Sequence, residues 1–182
     1  TATNWDTGVV PTAIDGVTIQ DLTNDPIISA TTGAVAYNIT TNNVLTIASG
    51  GSLIVGNTST GNVTYNRNLS FTSGDLEGWH LVGSPVVGQT YNDTYVTANS
   101  IASGTGSNRG IATYDNSVGS SNWTYLQSAG SGTFGTATGY SVKTSVTADV
   151  SFTGTMNTDA VTKGITIGAG TPFNLISNPF IS

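Results

Sequence analysis

Short runs of β-branched and aromatic residues, each closed by Gly, Asn, Asp or Pro, recur along the whole chain. This spacing is what most limits the fold. No stretch keeps apolar residues at i, i+3, i+4 and i+7 for long enough to make an amphipathic helix. Runs of this length and composition read instead as strands. In the first part they are Val17-Thr18-Ile19, Ala34-Val35-Ala36-Tyr37, Val44-Leu45-Thr46-Ile47, Leu53-Ile54-Val55 and Val63-Thr64-Tyr65. From Val35 their starts step by nine or ten residues. Leu45-x-Ile47 and Leu53-x-Val55 repeat one pattern around Ser49-Gly50-Gly51-Ser52. Strands at a fixed step, each too small to bury a face alone, predict the coils of a parallel β-solenoid. The rival arrangement is a run of hairpins turning at Asn42-Asn43 and Gly50-Gly51.

At Thr72-Ser73-Gly74-Asp75 the texture changes. The runs that follow carry more aromatics: Trp79 to Val82, Ile111 to Tyr114, Trp123 to Leu126, Tyr140 to Lys143, Val150 to Thr153, Ile165 to Ile167 and Phe173 to Ile176. Strict alternation in many of them predicts one buried and one wet face, as in an antiparallel sheet. The expected fold is therefore all-β, with a solenoid-like segment over residues 1–73 and a jelly-roll-like β-sandwich over 74–182. Ser100 to Arg109 reads as the most flexible loop. Gly78 to Pro85 and Pro172 to Pro179 share the order aromatic, polar, Leu, β-branched, small, small, Pro. They read as equivalent strands stopped at Pro-terminated corners.

Composition narrows the function. Charged residues make up 8% of the chain, against about 25% in ordinary soluble domains. Thr, Ser, Asn and Gly replace them, while the aromatics and β-branched residues needed for a core remain. The four basic residues, Arg67, Arg109, Lys143 and Lys163, are scattered in a chain of net charge −6, which argues against binding nucleic acid or an anionic membrane. No apolar run reaches the length of a membrane-spanning helix. With no cysteine, disulfides, thiolate metal sites and thiol nucleophiles are excluded. A polar surface poor in Lys and Glu suggests an extracellular protein, and an opening on Thr1 in place of Met suggests a processed or excised chain.

Catalytic patterns are weak. His80, the only histidine, sits within a strand pattern, and no Gly-x-Ser-x-Gly elbow is present to go with Ser84 and Asp75. Asp75 and Glu77 read as a solvated corner rather than the carboxylate pair of a glycosidase. They, or Asp21, Asn24 and Asp25, offer oxygen ligands to Ca²⁺ at spacings that match no known loop. No other cofactor is indicated, and no catalytic residue is assigned. The aromatics are the better ligand candidates, because an exposed ring offers a sugar an apolar face. Trp123, at the end of the loop Gly119-Ser120-Ser121-Asn122, leads this set with Tyr125 and Tyr114, whereas Trp79 is expected in the core.

The segments Asn4-Trp5 … Val10-Pro11-Thr12, Leu45 to Val55, Gly78 to Pro85, Gly139 to Val142, Phe152 to Asn157 and Phe173 to Phe180 together resemble secreted, adhesin-like surface proteins of Bacteroidetes, especially flavobacterial substrates of type IX secretion. The resemblance implies a non-enzymatic extracellular or cell-surface module of a longer polypeptide, with a structural or adhesive role. Its partners would be surface polysaccharide or other copies of itself. It also makes Thr94, in the polar Asp93-Thr94-Tyr95 segment, a candidate for O-glycosylation. An accessory carbohydrate-binding module of an exported hydrolase, or a subunit of a filament or sheath, are the alternative roles.

Overall fold

The computed structural model describes residues 2–21 and 23–181; Thr1, Leu22 and Ser182 lie outside it. After a 3-10 turn at Ala2–Asn4, six strands alternate between two sheets. They are β1 (Gly16–Ile19), β2 (Ile27–Ile28), β3 (Gly33–Thr41), β4 (Leu45–Ile47), β5 (Ser52–Thr60) and β6 (Val63–Leu69). Odd strands pair parallel in one sheet, even strands parallel in the other. Paired residues lie 18 to 22 positions apart, as in Leu45 opposite Val63 and Gly16 opposite Asn38. A step of nine or ten residues is therefore half a turn. Asn42-Asn43 and Gly50-Gly51 carry the chain from one sheet to the other, so the hairpin arrangement does not occur here.

Apolar side chains stack rung upon rung inside: Ile28 on Ile47 on Tyr65, and Val17 on Ile39. Polar side chains join the same rungs. Asn43 Nδ2 donates to Asp25 Oδ1 at 2.7 Å, and Thr41 Oγ1 donates to the Asn62 carbonyl at 2.9 Å. Between Val55 and Thr58 an extra residue bulges β5, and Asn38 Oδ1 holds the bulge by accepting from Asn57 Nδ2 and from the Thr58 N–H and hydroxyl. Here the high Asn and Thr content has a structural use. Short amide and hydroxyl side chains bond across parallel rungs to one another, to a backbone carbonyl and, at Asp25, to a carboxylate. At Gly61, φ is +85° and a Cβ would collide with the Thr41 carbonyl, so the turn from β5 into β6 requires glycine.

The second part adds β7 (Trp79–Val82), β8 (Val86–Val87), β9 (Thr90–Tyr91), α1 (Asp93–Ala98), β10 (Asn108–Tyr114), β11 (Trp123–Gln127), β12 (Gly132–Thr133), β13 (Tyr140–Lys143) and β14 (Ala148–Met156). Strands β11-β10-β13-β7 form an antiparallel sheet. β14 pairs antiparallel along β6, from Ala148 opposite Leu69 to Gly154 opposite Val63, and β8 pairs with its far side. Pairing thus changes from parallel to antiparallel at β6, within a shared sheet. One buried cluster runs through both segments, from Val17 to Ile181. At its centre Phe134 touches Tyr140 on β13, Phe152 on β14, and Tyr91 and Tyr95, with ring centroids 4.8 to 5.6 Å apart.

The fold is all-β, as the patterning predicts, with local differences. Ile165 to Ile167 and Phe173 to Ile176 are not strands. Their segment runs past Asn116 and then beside Ala137 to Gly139, the residues that lead into β13. It is held by one bridge, Thr138 to Ile176, and by side-chain bonds such as Asn116 Nδ2 to the Thr166 carbonyl. The Asp93-Thr94-Tyr95 segment, expected as a loop, opens α1. Asn92 Oδ1 caps it by accepting from Tyr95 N–H, and the turn buries Tyr95 and Val96. The Ser100 to Arg109 loop closes on itself, with Gly104 N–H donating to the Asn108 carbonyl. Among the described residues no helix is long and apolar enough to cross a membrane. Phe134→Ala is expected to cost about 3–5 kcal/mol, read as a lower urea midpoint, because it empties the centre of the aromatic cluster.

Candidate functional site

Side chains alternate across a sheet, so the register of the four-stranded sheet assigns its faces. Ile111, Tyr140 and Val142 point to the core. The opposite face carries Trp123 and Tyr125 on β11, Tyr114 and Ala112 on β10, Ser141 and Lys143 on β13, and Leu81 and Trp79 on β7. All three aromatic ligand candidates therefore share one face. Tyr114 and Trp123 are directly opposed and meet edge to face at 5.0 Å. Tyr125 meets Trp79 in the same way at 5.6 Å.

Trp79 corrects an expectation, since it lies half-buried on this outer face and not in the core. The loop over residues 72–78 covers one side of it. Trp79 Nε1 donates to the Asp75 carbonyl at 3.1 Å. The Lys143 ammonium sits 5.9 Å over the Trp79 ring and donates to the Gly74 and Glu77 carbonyls. A buried cation needs such acceptors, and here backbone oxygens supply them. Asp75 and Glu77 thus contribute their main chain to this fold. Among the described residues no group of three or more His, Cys, Asp or Glu side chains converges as a metal site.

At the other end Trp123 is presented by a stiff loop. The Asp115 carboxylate accepts from the Ser117 hydroxyl at 2.6 Å and the Ser117 N–H at 2.8 Å, and these bonds hold its pKa below the ordinary carboxylate value. Asn122 Nδ2 donates to the Asp115 and Val118 carbonyls. Tyr114 hydroxyl and Thr171 Oγ1 lie 2.6 Å apart, tying the ring to the crossing C-terminal segment. Gly170 packs so closely on the Val118 carbonyl that a Cβ would not fit. Trp123 keeps 37% of its surface exposed. The result is a fixed aromatic edge with one accessible indole, and no acid–base pair beside it.

The remaining candidates fall elsewhere. His80 Nε2 is 2.8 Å from the Ser70 carbonyl, while the buried Ser84 hydroxyl donates to the Val86 carbonyl at 2.6 Å. Each is occupied by the backbone, and the structure does not bring them together with Asp75. Asp25 accepts from Asn43 within the rungs. Thr94 is exposed in the first turn of α1. Its neighbour Asp93 accepts from Ala129 N–H and from Arg109 Nε, both at 2.8 Å. Residues missed in the sequence are Phe134, Tyr91 and Tyr95. Phe134 lies in Gly132-Thr133-Phe134-Gly135, where flanking glycines erase any alternation that would have marked it. No family model, curated protein or solved structure matches this chain.

The Ala129 N–H and then the Arg109 guanidinium hold the Asp93 carboxyl below its usual pKa. A depressed folded-state pKa adds stability above the unfolded value, and that stability is lost as pH falls through the folded value. Asp93→Asn is therefore expected to lower the urea midpoint most at neutral pH, with the gap to the native chain closing below about pH 4. A gap that is independent of pH would assign the effect to something other than the carboxylate.

Proposed function

We propose that this chain is a non-enzymatic module of a secreted or cell-surface protein, with a structural and adhesive role. The observation that carries the reading is the fixed aromatic edge at Trp123. Its indole is exposed, its neighbour Tyr114 is tied at the hydroxyl, and the loop before it is braced by Asp115 and Asn122. A ring held in place loses little entropy on contact with a ligand, and its face suits the apolar side of a sugar. His80 and Ser84, each bonded to a carbonyl, support a non-catalytic reading. The side-chain hydrogen bonds between rungs suit a rigid extracellular spacer. The likeness to flavobacterial type IX secretion substrates supports the location, and makes a longer parent polypeptide part of the proposal. The same edge would serve an accessory carbohydrate-binding module.

The deciding experiment is depletion of the purified chain by a panel of insoluble polysaccharides, beside Trp123→Ala. Adhesion through the aromatic edge predicts retention on at least one polysaccharide and release of the variant to the level of a no-polysaccharide control. Retention of both proteins alike would remove Trp123 from the reading.

One observation favours the filament alternative. β5, nine residues without charge or proline, ends the parallel sheet, and its Leu53 N–H already donates to the Ile181 carbonyl. An edge with no charge to guard it is open to another strand. Polymers visible by electron microscopy and abolished by Thr58→Lys would carry this second reading. A monomer at every concentration in the ultracentrifuge would end it.

A further inference from the structure

A cleft of about 230 Å³ opens where β6, β7 and the crossing C-terminal segment meet. The two echoed segments, Gly78 to Pro85 and Pro172 to Pro179, lie side by side here and form much of its wall. Leu81, Ile176 and Phe180 give that wall an exposed apolar surface, 67%, 57% and 37% accessible respectively. Ser177 and Asn178 add a polar margin, and Tyr65 and Arg67 line the β6 side.

Arg67 is the anomaly. It stands opposite Val150, and Tyr65 stands opposite Phe152. Val150 and Phe152 are buried, so Tyr65 and Arg67 project from the core-facing side of the sheet. Arg67 is nonetheless exposed and Tyr65 half-buried, so the core-facing side of β6 opens into the cleft at this point. An inward charge can guard an exposed sheet edge, but β6 is paired on both sides, with β4 and β14, and has no edge to guard. This exposed charge has no protein partner. Among the described residues, Arg109 pairs with Asp93, Lys143 donates to two carbonyls and Lys163 donates to Thr138, while Arg67 has neither a carboxylate nor a hydrogen-bond acceptor. No acidic residue lines the cleft, despite the net charge of −6.

We infer that this cleft binds a carboxylate-bearing sugar, a single hexuronate unit, with Arg67 as the anion-binding group. The guanidinium presents two parallel N–H donors that match a carboxylate. A pyranose ring has one apolar face and a rim of hydroxyls, which fits a wall apolar at Leu81, Ile176 and Phe180 and polar at Ser177 and Asn178. The volume is below the range of about 300–1,000 Å³ typical of drug-sized ligands, which suits one ring better than an oligomer. This site does not depend on the aromatic edge at Trp123 and lies on different residues.

The test is an NMR titration of the intact chain with methyl β-D-glucuronide, using methyl β-D-glucoside as the neutral control. The glucuronide is expected to shift the Leu81 and Ile176 amides and to bind at least about tenfold more tightly than the glucoside, the loss that follows removal of one charge-assisted pair. Arg67→Gln should bring the glucuronide down to the glucoside level, and Arg67→Lys should keep part of the difference. Trp123→Ala should leave the titration unchanged, so failure here and failure of the adhesive reading are separable. Equal titration by the two sugars, shifts confined to residues outside the cleft, or an Arg67→Gln variant that binds as the native chain does would each overturn the assignment.

Discussion

β6 is hydrogen-bonded on both sides, parallel to β4 and antiparallel to β14, and the rest of the molecule depends on this double pairing. The parallel rungs alone offer a narrow core of aliphatic side chains, which neighbouring turns must cover. β14 supplies that cover by extending the sheet through seven residue pairs. It also carries Phe152 into the aromatic cluster around Phe134, where the second antiparallel sheet joins through Tyr140. One strand therefore joins the parallel and the antiparallel pairing through a single core. Tyr95 reinforces the joint, since its hydroxyl donates to the Ser151 carbonyl and its burial raises its pKa well above the ordinary phenol value.

The sites follow from this joint. The C-terminal segment joins none of the named strands and is bonded instead to Tyr114, Asn116 and Thr138. Its passage leaves two consequences at opposite places. Over β10 it fixes the aromatic edge that presents Trp123. Beside β7 it stops short of filling the interlayer space, and leaves the opening onto which Arg67 looks.

Much of this was legible in the sequence, and the failures have physical reasons. The inward alternation of Val150 and Phe152, and the nine-to-ten-residue step from Val35, are local properties of strands and survived folding unchanged. Ile165-Thr166-Ile167 has the same β-branched character, yet a strand needs a backbone partner, and the Thr166 backbone is bonded instead by the side chains of Asn116 and Asn174. α1 was invisible because six residues are too few for a helical period, leaving Asn92 as its sole signal. Which side of Trp79 would be covered depended on the docking of the loop at residues 72–78, a tertiary event. Trp123, Tyr125 and Tyr114 were grouped by residue type, and it is the register of β10 with β11 that places them on one face. Arg67 could have been found by counting alternate positions from Val63 through Tyr65 to Leu69, had the charge been treated as an exception and not as one of a scattered four.

The placement of the four basic residues also bears on how such a chain meets trypsin-like proteases. Trypsin-like enzymes need an extended, detached backbone at a Lys or Arg. Arg67, Arg109 and Lys143 lie within β6, β10 and β13, where the backbone is committed to sheet pairing. Only Lys163 lies outside a strand, and its ammonium is tied to Thr138 Oγ1. A cut after Lys163 would leave the distal piece still attached through the Thr138–Ile176 bridge and the Ile181–Leu53 bond. Hydrolysis at that bond would nick the chain without releasing a fragment.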